Sequence, residues 1–167
     1  MAKRPTHLPS TRVPQRALLH PLWLIALSVL VLNDHLFKGS GLLPAVVTGK
    51  LSDVVGMVVA PVLLAALLQI RTKRALLWAH LATGGVFAAI NLSPLAAQGF
   101  EAMTALTPFP WAIVVDPTDL IALPALALSW LVLTPAMRRP TPVPRWLAIP
   151  AMGFGALACM ATSPPEE

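Results

Sequence analysis

Residues 51–74 read LSDVVGMVVAPVLLAALLQIRTKR, an apolar run that ends in three basic residues. A helix of about 20 apolar residues crosses the roughly 30 Å hydrocarbon core of a bilayer, and residues 51–70 have that length. Arg71, Lys73 and Arg74 predict the cytoplasmic end of the run, because cytoplasmic loops carry an excess of lysine and arginine. Pro61 lies within the run and predicts a kink. The stretch therefore predicts a membrane-spanning helix that ends at the cytoplasmic surface.

The rest of the chain has the same apolar character. Apolar residues make up 56% of the 167 residues and charged residues 11%, a composition too apolar for a soluble domain. We predict an all-α membrane protein, a bundle of about five transmembrane helices within residues 17–162. Residues 1–16 are predicted to form a basic flexible cytoplasmic leader, and residues 163–167 a short acidic tail. Besides 51–70, the predicted spans are residues 17–37, 75–92, 117–137 and 146–162.

The distribution of lysine and arginine predicts the orientation. Ten of the twelve lie in the leader and in the loops after the second and fourth spans, whereas Lys38 and Lys50 lie between the first and second spans. This pattern predicts a cytoplasmic N-terminus and five crossings, as in a multi-pass protein of the bacterial inner (cell) membrane.

The excess of lysine and arginine in the predicted cytoplasmic segments also explains the net charge of +5, so no nucleic-acid partner is expected. The lipid bilayer is the predicted partner, together with either a second copy of the chain in a homo-oligomer or a membrane partner subunit.

Polar residues gather at the predicted outer ends of the spans. Charged groups at membrane depth are costly, so such residues are expected to be paired or functional. The candidate catalytic residues are Asp34, His35, Asp53 and Asp119. Lys38 and Lys50 are candidates for contacting a substrate or a phosphate. Helix-capping or supporting roles are predicted for Asn33, Ser52, Asn91 and Asp116.

Each of these residues also has a structural interpretation. Asp116 fits an N-cap, because it precedes proline at the first helical position. The pairs Asp34/Lys38 and Lys50/Asp53 have the i, i+4 and i, i+3 spacings of same-face ion pairs. His35 is interpreted as a polar anchor at a helix end, and Glu101 as a solvated side chain. His80 is interpreted as a hydrogen-bonding partner between helices.

A repeated pattern suggests two related hairpins. Ser52-Asp53 and Thr118-Asp119 are each followed by apolar residues and a proline, and Asn33 and Asn91 each follow an aliphatic residue. We hypothesise that spans one to two and three to four are parallel repeats, with Asp53 and Asp119 facing each other.

Three motifs carry a resemblance to known proteins. They are Asn33-Asp34-His35 with Lys38, the run TGKLSD at residues 48–53 with Gly56, and DPTDL at residues 116–120. Over residues 30–135 the chain resembles a family of small, uncharacterised bacterial multi-span membrane proteins. The resemblance implies residence in a bacterial membrane and implies no reaction. A fainter similarity is to VanZ-like membrane proteins, whose Asp-Lys-x-x-His and Glu-x-x-Gln patterns the chain lacks.

Three functions fit these observations. The first is an enzyme at the outer leaflet that acts on a lipid-linked envelope substrate, with a cation- or phosphate-binding site. A divalent cation held by carboxylates and His35 is its candidate cofactor, although the spacing matches no known metal motif. The alternatives are a non-catalytic membrane subunit or assembly factor, and a small ion-coupled transporter that uses Asp53 and Asp119.

Overall fold

A computed structural model describes residues 13–38, 40, 42–108, 110–138 and 143–160, and within these ranges all regular structure is helical. Short 3₁₀ helices form at Pro14–Leu19 and Pro117–Ala122, and a wide π-helical turn, Asn33–Phe37, follows the first α-helix. The predicted leader lies almost entirely outside the described residues, and the acidic tail entirely so. The α-helices are α1 (Pro21–Leu32), α2 (Ala45–Leu67), α3 (Lys73–Leu92), α4 (Pro94–Thr104), α5 (Pro124–Ala136) and α6 (Arg145–Met160).

Three segments of the described structure are long and apolar enough to cross a membrane. They are Ala45–Leu67, Lys73–Leu92 and Pro117–Ala136, while Pro21–Phe37 and Arg145–Met160 are shorter apolar helices. The all-α fold of membrane-protein type is thereby confirmed. A helix of 16 residues is about 24 Å long, somewhat less than a typical hydrocarbon core. Five crossings therefore stay a prediction.

The second helix begins earlier than predicted. It starts at Ala45 instead of Leu51, directly after Pro44, so Thr48 and Gly49 lie inside the helix and not in a turn. A glycine inside a helix costs only about 1 kcal/mol. The buried side chains along α2 offset that cost, so the turn-forming residues in the sequence do not end the helix.

Helix α2 packs against α1, α3, α5 and α6 and is the centre of the bundle. Pro61 interrupts its hydrogen-bond ladder, because proline has no N–H. In the turn before Pro61, two carbonyl groups accept hydrogen bonds from neighbouring helices. Trp23 Nε1 in α1 donates to the Val59 carbonyl at 3.2 Å, and Ser129 Oγ in α5 donates to the Val58 carbonyl at 3.1 Å. These bonds attach α1 and α5 to the part of α2 that precedes Pro61.

Helices α3 and α5 meet at a buried histidine. His80 is 4% exposed, its Nδ1 lies 2.8 Å from the Leu76 carbonyl oxygen, and its Nε2 lies 3.4 Å from Ser129 Oγ. Its ring meets Trp130 edge-on at 5.2 Å between centroids. His80 therefore contacts α5 through Ser129 and Trp130, while its short hydrogen bond is to Leu76 in its own helix, and the predicted hydrogen bond between helices stays a prediction. Nearby, the Leu126 side chain packs closely against Gly84, because glycine has no Cβ.

The bundle has two ends of opposite character. We call one the acidic end, formed by the Asn33–Phe37 turn, the start of α2, the end of α3, α4 and the Pro117–Ala122 turn. The acidic residues of the described ranges all lie there: Asp34, Asp53, Glu101, Asp116 and Asp119.

We call the opposite end the basic end. There the backbone N–H of Val13 donates to the Met137 carbonyl at 2.9 Å, which joins the N-terminal turn to the end of α5. The charged residues that the structure describes at this end are all basic: Arg16, Arg71, Lys73, Arg74, Arg138 and Arg145.

Candidate functional site

The wide turn after α1 directs two polar side chains toward α2. The Lys38 N–H donates to the Asn33 carbonyl at 2.9 Å, a bond across five residues that defines a π-helical turn. Asn33 is 0% exposed, and its Nδ2 donates to the Thr48 carbonyl and to Ser52 Oγ, both at 2.7 Å. Asn33 thus links the end of α1 to the first turns of α2.

Asp34 is held from both sides of the same junction. Ser52 Oγ donates to Asp34 Oδ1 at 2.7 Å, and Lys38 Nζ lies 3.0 Å from the same oxygen. The Asp34 side chain is only 3% exposed. The predicted i, i+4 pair of Asp34 and Lys38 is confirmed, and the structure adds Ser52 as a second donor from α2.

Lys50 makes the second ion pair of the site. Its Nζ lies 2.7 Å from Asp119 Oδ1, 2.6 Å from Thr118 Oγ1 and 3.7 Å from Asp116 Oδ2. The predicted pairing of Lys50 with Asp53 on the same face of a helix is therefore wrong. Lys50 reaches instead across to the Pro117–Ala122 turn, because the carboxylates of Asp116 and Asp119 lie within the length of the lysine side chain.

Asp116 caps the turn that precedes α5. Its Oδ1 accepts hydrogen bonds from the Thr118 N–H at 2.8 Å and the Thr118 hydroxyl at 2.7 Å. Both bonds hold the pKa of Asp116 below its ordinary value, and the bond from the hydroxyl has the larger effect. The charge of Lys50 lowers the pKa of Asp116 further. The predicted N-cap is confirmed, although the element that it caps is a 3₁₀ turn.

Asp53 lies between the two ion pairs. It follows Lys50 by one turn of α2, is half-buried, and is close enough to Asp34, Asp119 and both lysines to interact with them electrostatically. Among the residues that the structure describes, the Asp53 side chain has no hydrogen-bond or ion-pair partner. Asp53 and Asp119 are thus brought to the same region, as the hairpin hypothesis expected.

The structure does not make the two predicted hairpins equivalent. Asn91 Nδ2 donates to the Phe87 carbonyl of its own helix at 3.0 Å, whereas Asn33 bridges two helices. Ser52-Asp53 lies inside α2, whereas Thr118-Asp119 lies in the first turn of a 3₁₀ helix. Local backbone geometry therefore separates the two similar sequence patterns.

Two other polar residues of the acidic end stand apart from the ion pairs. His35 is exposed, and its side chain makes no hydrogen bond in the part of the chain that is described. Glu101 lies in α4, and its Oε1 accepts a hydrogen bond from the Ile113 N–H at 2.6 Å. Glu101 therefore fastens the segment after α4 instead of being simply solvated.

We call the six residues Asp34, Lys38, Lys50, Asp53, Asp116 and Asp119 the acidic cluster. Four carboxylates against two ammonium groups give it a formal charge of −2. Two buried oxygens, Asn33 Oδ1 and Asp34 Oδ2, have no hydrogen-bond partner among the residues that the structure describes. Buried polar atoms are nearly always paired in proteins, so these two oxygens are candidate acceptors for a donor or a cation.

A divalent cation finds little support in this geometry. Within the described ranges, no group of three histidine, cysteine, aspartate or glutamate side chains is placed to hold a metal ion. The predicted divalent ligand set of His35 and the carboxylates is therefore not formed within these ranges.

The contribution of backbone groups was not visible in the sequence. The Thr48 carbonyl is a main partner of Asn33, and every residue carries such a carbonyl. The Thr118 hydroxyl, by contrast, lies within the DPTDL motif, and its neighbours Asp116 and Asp119 could have indicated it.

In comparisons with known proteins, no family model, curated protein or solved structure matches the chain.

Proposed function

We propose that this chain is a multi-pass protein of the bacterial inner membrane that binds a small cation at its outer, acidic end. The cation is either a free ion or the cationic group of an envelope-lipid headgroup. The observation that carries the proposal is the formal charge of −2 on the acidic cluster, together with two buried oxygens that lack donors within the described ranges. The motifs behind the family resemblance support it, since Asn33-Asp34, Ser52-Asp53 and Asp116 to Asp119 contribute to this region.

A cation fits the cluster better than a phosphate. Both lysines already contact carboxylates, Lys38 at Asp34 and Lys50 at Asp119. A phosphate would have to displace these partners, whereas a cation binds carboxylate and amide oxygens directly. Negative charge without a counterion is unfavourable near the hydrocarbon region, and a bound cation removes that cost.

The residues have separate parts in the proposed site. Asp53 supplies a carboxylate that no described residue neutralises by contact. Asp34 and Asn33 supply the buried oxygens, and Ser52 and Lys38 hold Asp34 in position. Lys50 and Asp119 keep the turn before α5 against α2.

Cation-dependent stability of the purified full chain tests the proposal. Sodium, potassium, magnesium, ethanolamine and choline chlorides would be compared with N-methylglucamine chloride at equal ionic strength, because a ligand that binds the folded state raises its stability. We expect one monovalent cation to raise the unfolding temperature, Asp53→Asn to remove that rise, and Glu101→Gln to retain it. Glu101→Gln removes the same charge at the same end, outside the cluster.

The choice of cations separates the two sources. A rise with sodium or potassium identifies a free ion, and a rise confined to ethanolamine or choline identifies a lipid headgroup. Equal unfolding temperatures in all the salts would contradict cation binding.

A second candidate is a non-catalytic membrane subunit or assembly factor. It is favoured by the contacts of Asn33, Ser52 and Lys50, which fasten α1, α2 and the Pro117–Ala122 turn together. Asp53→Asn discriminates the two roles, because Asp53 makes none of these contacts. Normal growth and envelope-lipid composition in a strain that carries stable Asp53→Asn protein would favour the subunit.

A further inference from the structure

A cleft of about 650 Å³ opens at the basic end of the bundle, far from the acidic cluster. It lies between the Pro14–Leu19 turn, the end of α5 and the residues that lead into α6. Two basic side chains and several apolar ones form its walls: Arg16, His20, Leu19, Val132, Pro135 and Pro144.

We propose that this cleft binds an anionic phospholipid, with the phosphate at Arg16 and His20 and the upper acyl chains along the apolar wall. The combination of basic and apolar walls matches an amphipathic ligand with a negative headgroup. Basic pockets between membrane helices on the cytoplasmic side are suited to such headgroups. The cleft lies beside the helix ends of the basic end, which meets the cytoplasmic headgroup layer in the orientation proposed above.

The two basic side chains have complementary donor geometry. Arginine presents a planar set of N–H groups that fits a phosphate in a bidentate manner. His20 Nδ1 accepts a hydrogen bond from the Leu22 N–H at 3.2 Å, so the proton of the neutral ring is assigned to Nε2. The wall of the cleft therefore offers a histidine donor even when the ring is uncharged.

The charge of the surrounding surface commits the proposal to an anionic lipid. The charged residues that the structure describes at the basic end are all basic, with Arg138 and Arg145 beside segments that line the cleft. A zwitterionic lipid would gain less from this field, because its own positive group is repelled.

Lipid titration of the purified full chain, read by native mass spectrometry, tests the site. Dioleoylphosphatidylglycerol would be compared with dioleoylphosphatidylcholine. We expect preferential retention of phosphatidylglycerol, and we expect Arg16→Gln to weaken its binding about fivefold, the effect of one basic residue near an anionic headgroup. Arg74→Gln is the matched control, because Arg74 is exposed at the same end and does not line the cleft.

A second variant tests the cavity without changing charge. Ala136 also lines the cleft, and Ala136→Phe is expected to fill it and reduce phosphatidylglycerol retention. Circular dichroism checks that each variant keeps its helices, and if Arg16→Gln fails to fold, Ala136→Phe decides.

Three results would overturn the proposal. They are equal retention of both lipids by the wild type, equal weakening by Arg74→Gln and Arg16→Gln, and loss of bound lipid to an equal concentration of inorganic phosphate. The second would show general attraction to the surface, and the third would show recognition of phosphate alone.

Discussion

The two ends of the bundle use charge differently. At the acidic end, Asp34, Asp116 and Asp119 contact donors on other segments or cap a turn, and Lys50 joins α2 to the turn before α5. At the basic end, Arg71, Lys73 and Arg74 are exposed and form no ion pair within the described structure. Charges of the acidic end thus organise contacts between helices, whereas those basic residues are free to meet water and lipid headgroups.

The largest expected effect concerns which end faces the cytoplasm. In a Cys159→Ala background, Ser40→Cys places a thiol at the acidic end, and Gln69→Cys places one beside the basic turn. We expect a membrane-impermeant maleimide to label Ser40→Cys in intact cells and Gln69→Cys only after permeabilisation. Labelling of Gln69→Cys in intact cells would reverse the proposed orientation and place the acidic cluster inside.

Asn33 is expected to contribute more stability than the similar Asn91. Asn33→Leu removes the donor to the Thr48 carbonyl and Ser52 Oγ and leaves these groups buried. We expect a loss of about 2 kcal/mol in the free energy of unfolding, the usual cost of unsatisfied buried groups.

The control for Asn33 is Asn91→Leu, which removes a bond within a single helix. Its expected loss is below about 1 kcal/mol. Both are measured by reversible unfolding in mixed detergent micelles, and equal losses would show that the bridge between α1 and α2 adds nothing.

Replacing one lysine at each end with glutamine tests whether charges stabilise the acidic end more than the basic end. Lys50→Gln removes the ion pair with Asp119, and we expect a modest loss in the free energy of unfolding, because the pair is partly exposed and water screens it. Lys73→Gln at the basic end is expected to change the free energy of unfolding by less than about 0.5 kcal/mol. A larger loss for Lys73→Gln would mean that the basic end also depends on specific ion pairs.

The smallest expected effect is a dependence of stability on pH in the acidic range, which arises from Asp116. Its pKa is below the ordinary value of 3.8 in the folded chain, so the folded state binds this proton less readily than the unfolded state. The stabilisation is present above about pH 4 and is lost as the pH falls through the lower folded pKa. We expect Asp116→Asn to reduce the slope of unfolding temperature against pH in this acidic range. An unchanged slope would show that the Thr118 hydrogen bonds do not favour the ionised carboxylate.

Local features of the sequence predicted much of the site but only part of its pairing. The Asp34/Lys38 spacing and the Asp-Pro pair at Asp116 act within one helical turn, and both predictions are confirmed. Lys50 was predicted to pair with Asp53 by the same reasoning, but its partner lies 69 residues away in Asp119. Spacing identifies the residues that share a face of a helix, and it does not include competition from a neighbouring element.

The start of α2 also shows that packing between helices can outweigh a local sequence preference. Thr48 and Gly49 favour a turn locally, yet they lie inside α2, because burial of that helix among its neighbours outweighs a small local preference. The gathering of acidic residues at one end was predictable, because it depends only on where charges fall relative to apolar runs.

The sequence alone determined the helical class, the apolar segments and the separation of acidic from basic ends. Each of these depends on hydrophobicity and charge along the chain, which require no knowledge of neighbours in space. The tertiary structure decided that Asn33 joins α1 to α2, that Lys50 reaches Asp119, and that Asn33 Oδ1 and Asp34 Oδ2 have no donor in the described part of the chain. Hydrogen bonds and ion pairs act over a few ångströms, so only the packing of the helices decides which groups come within that distance.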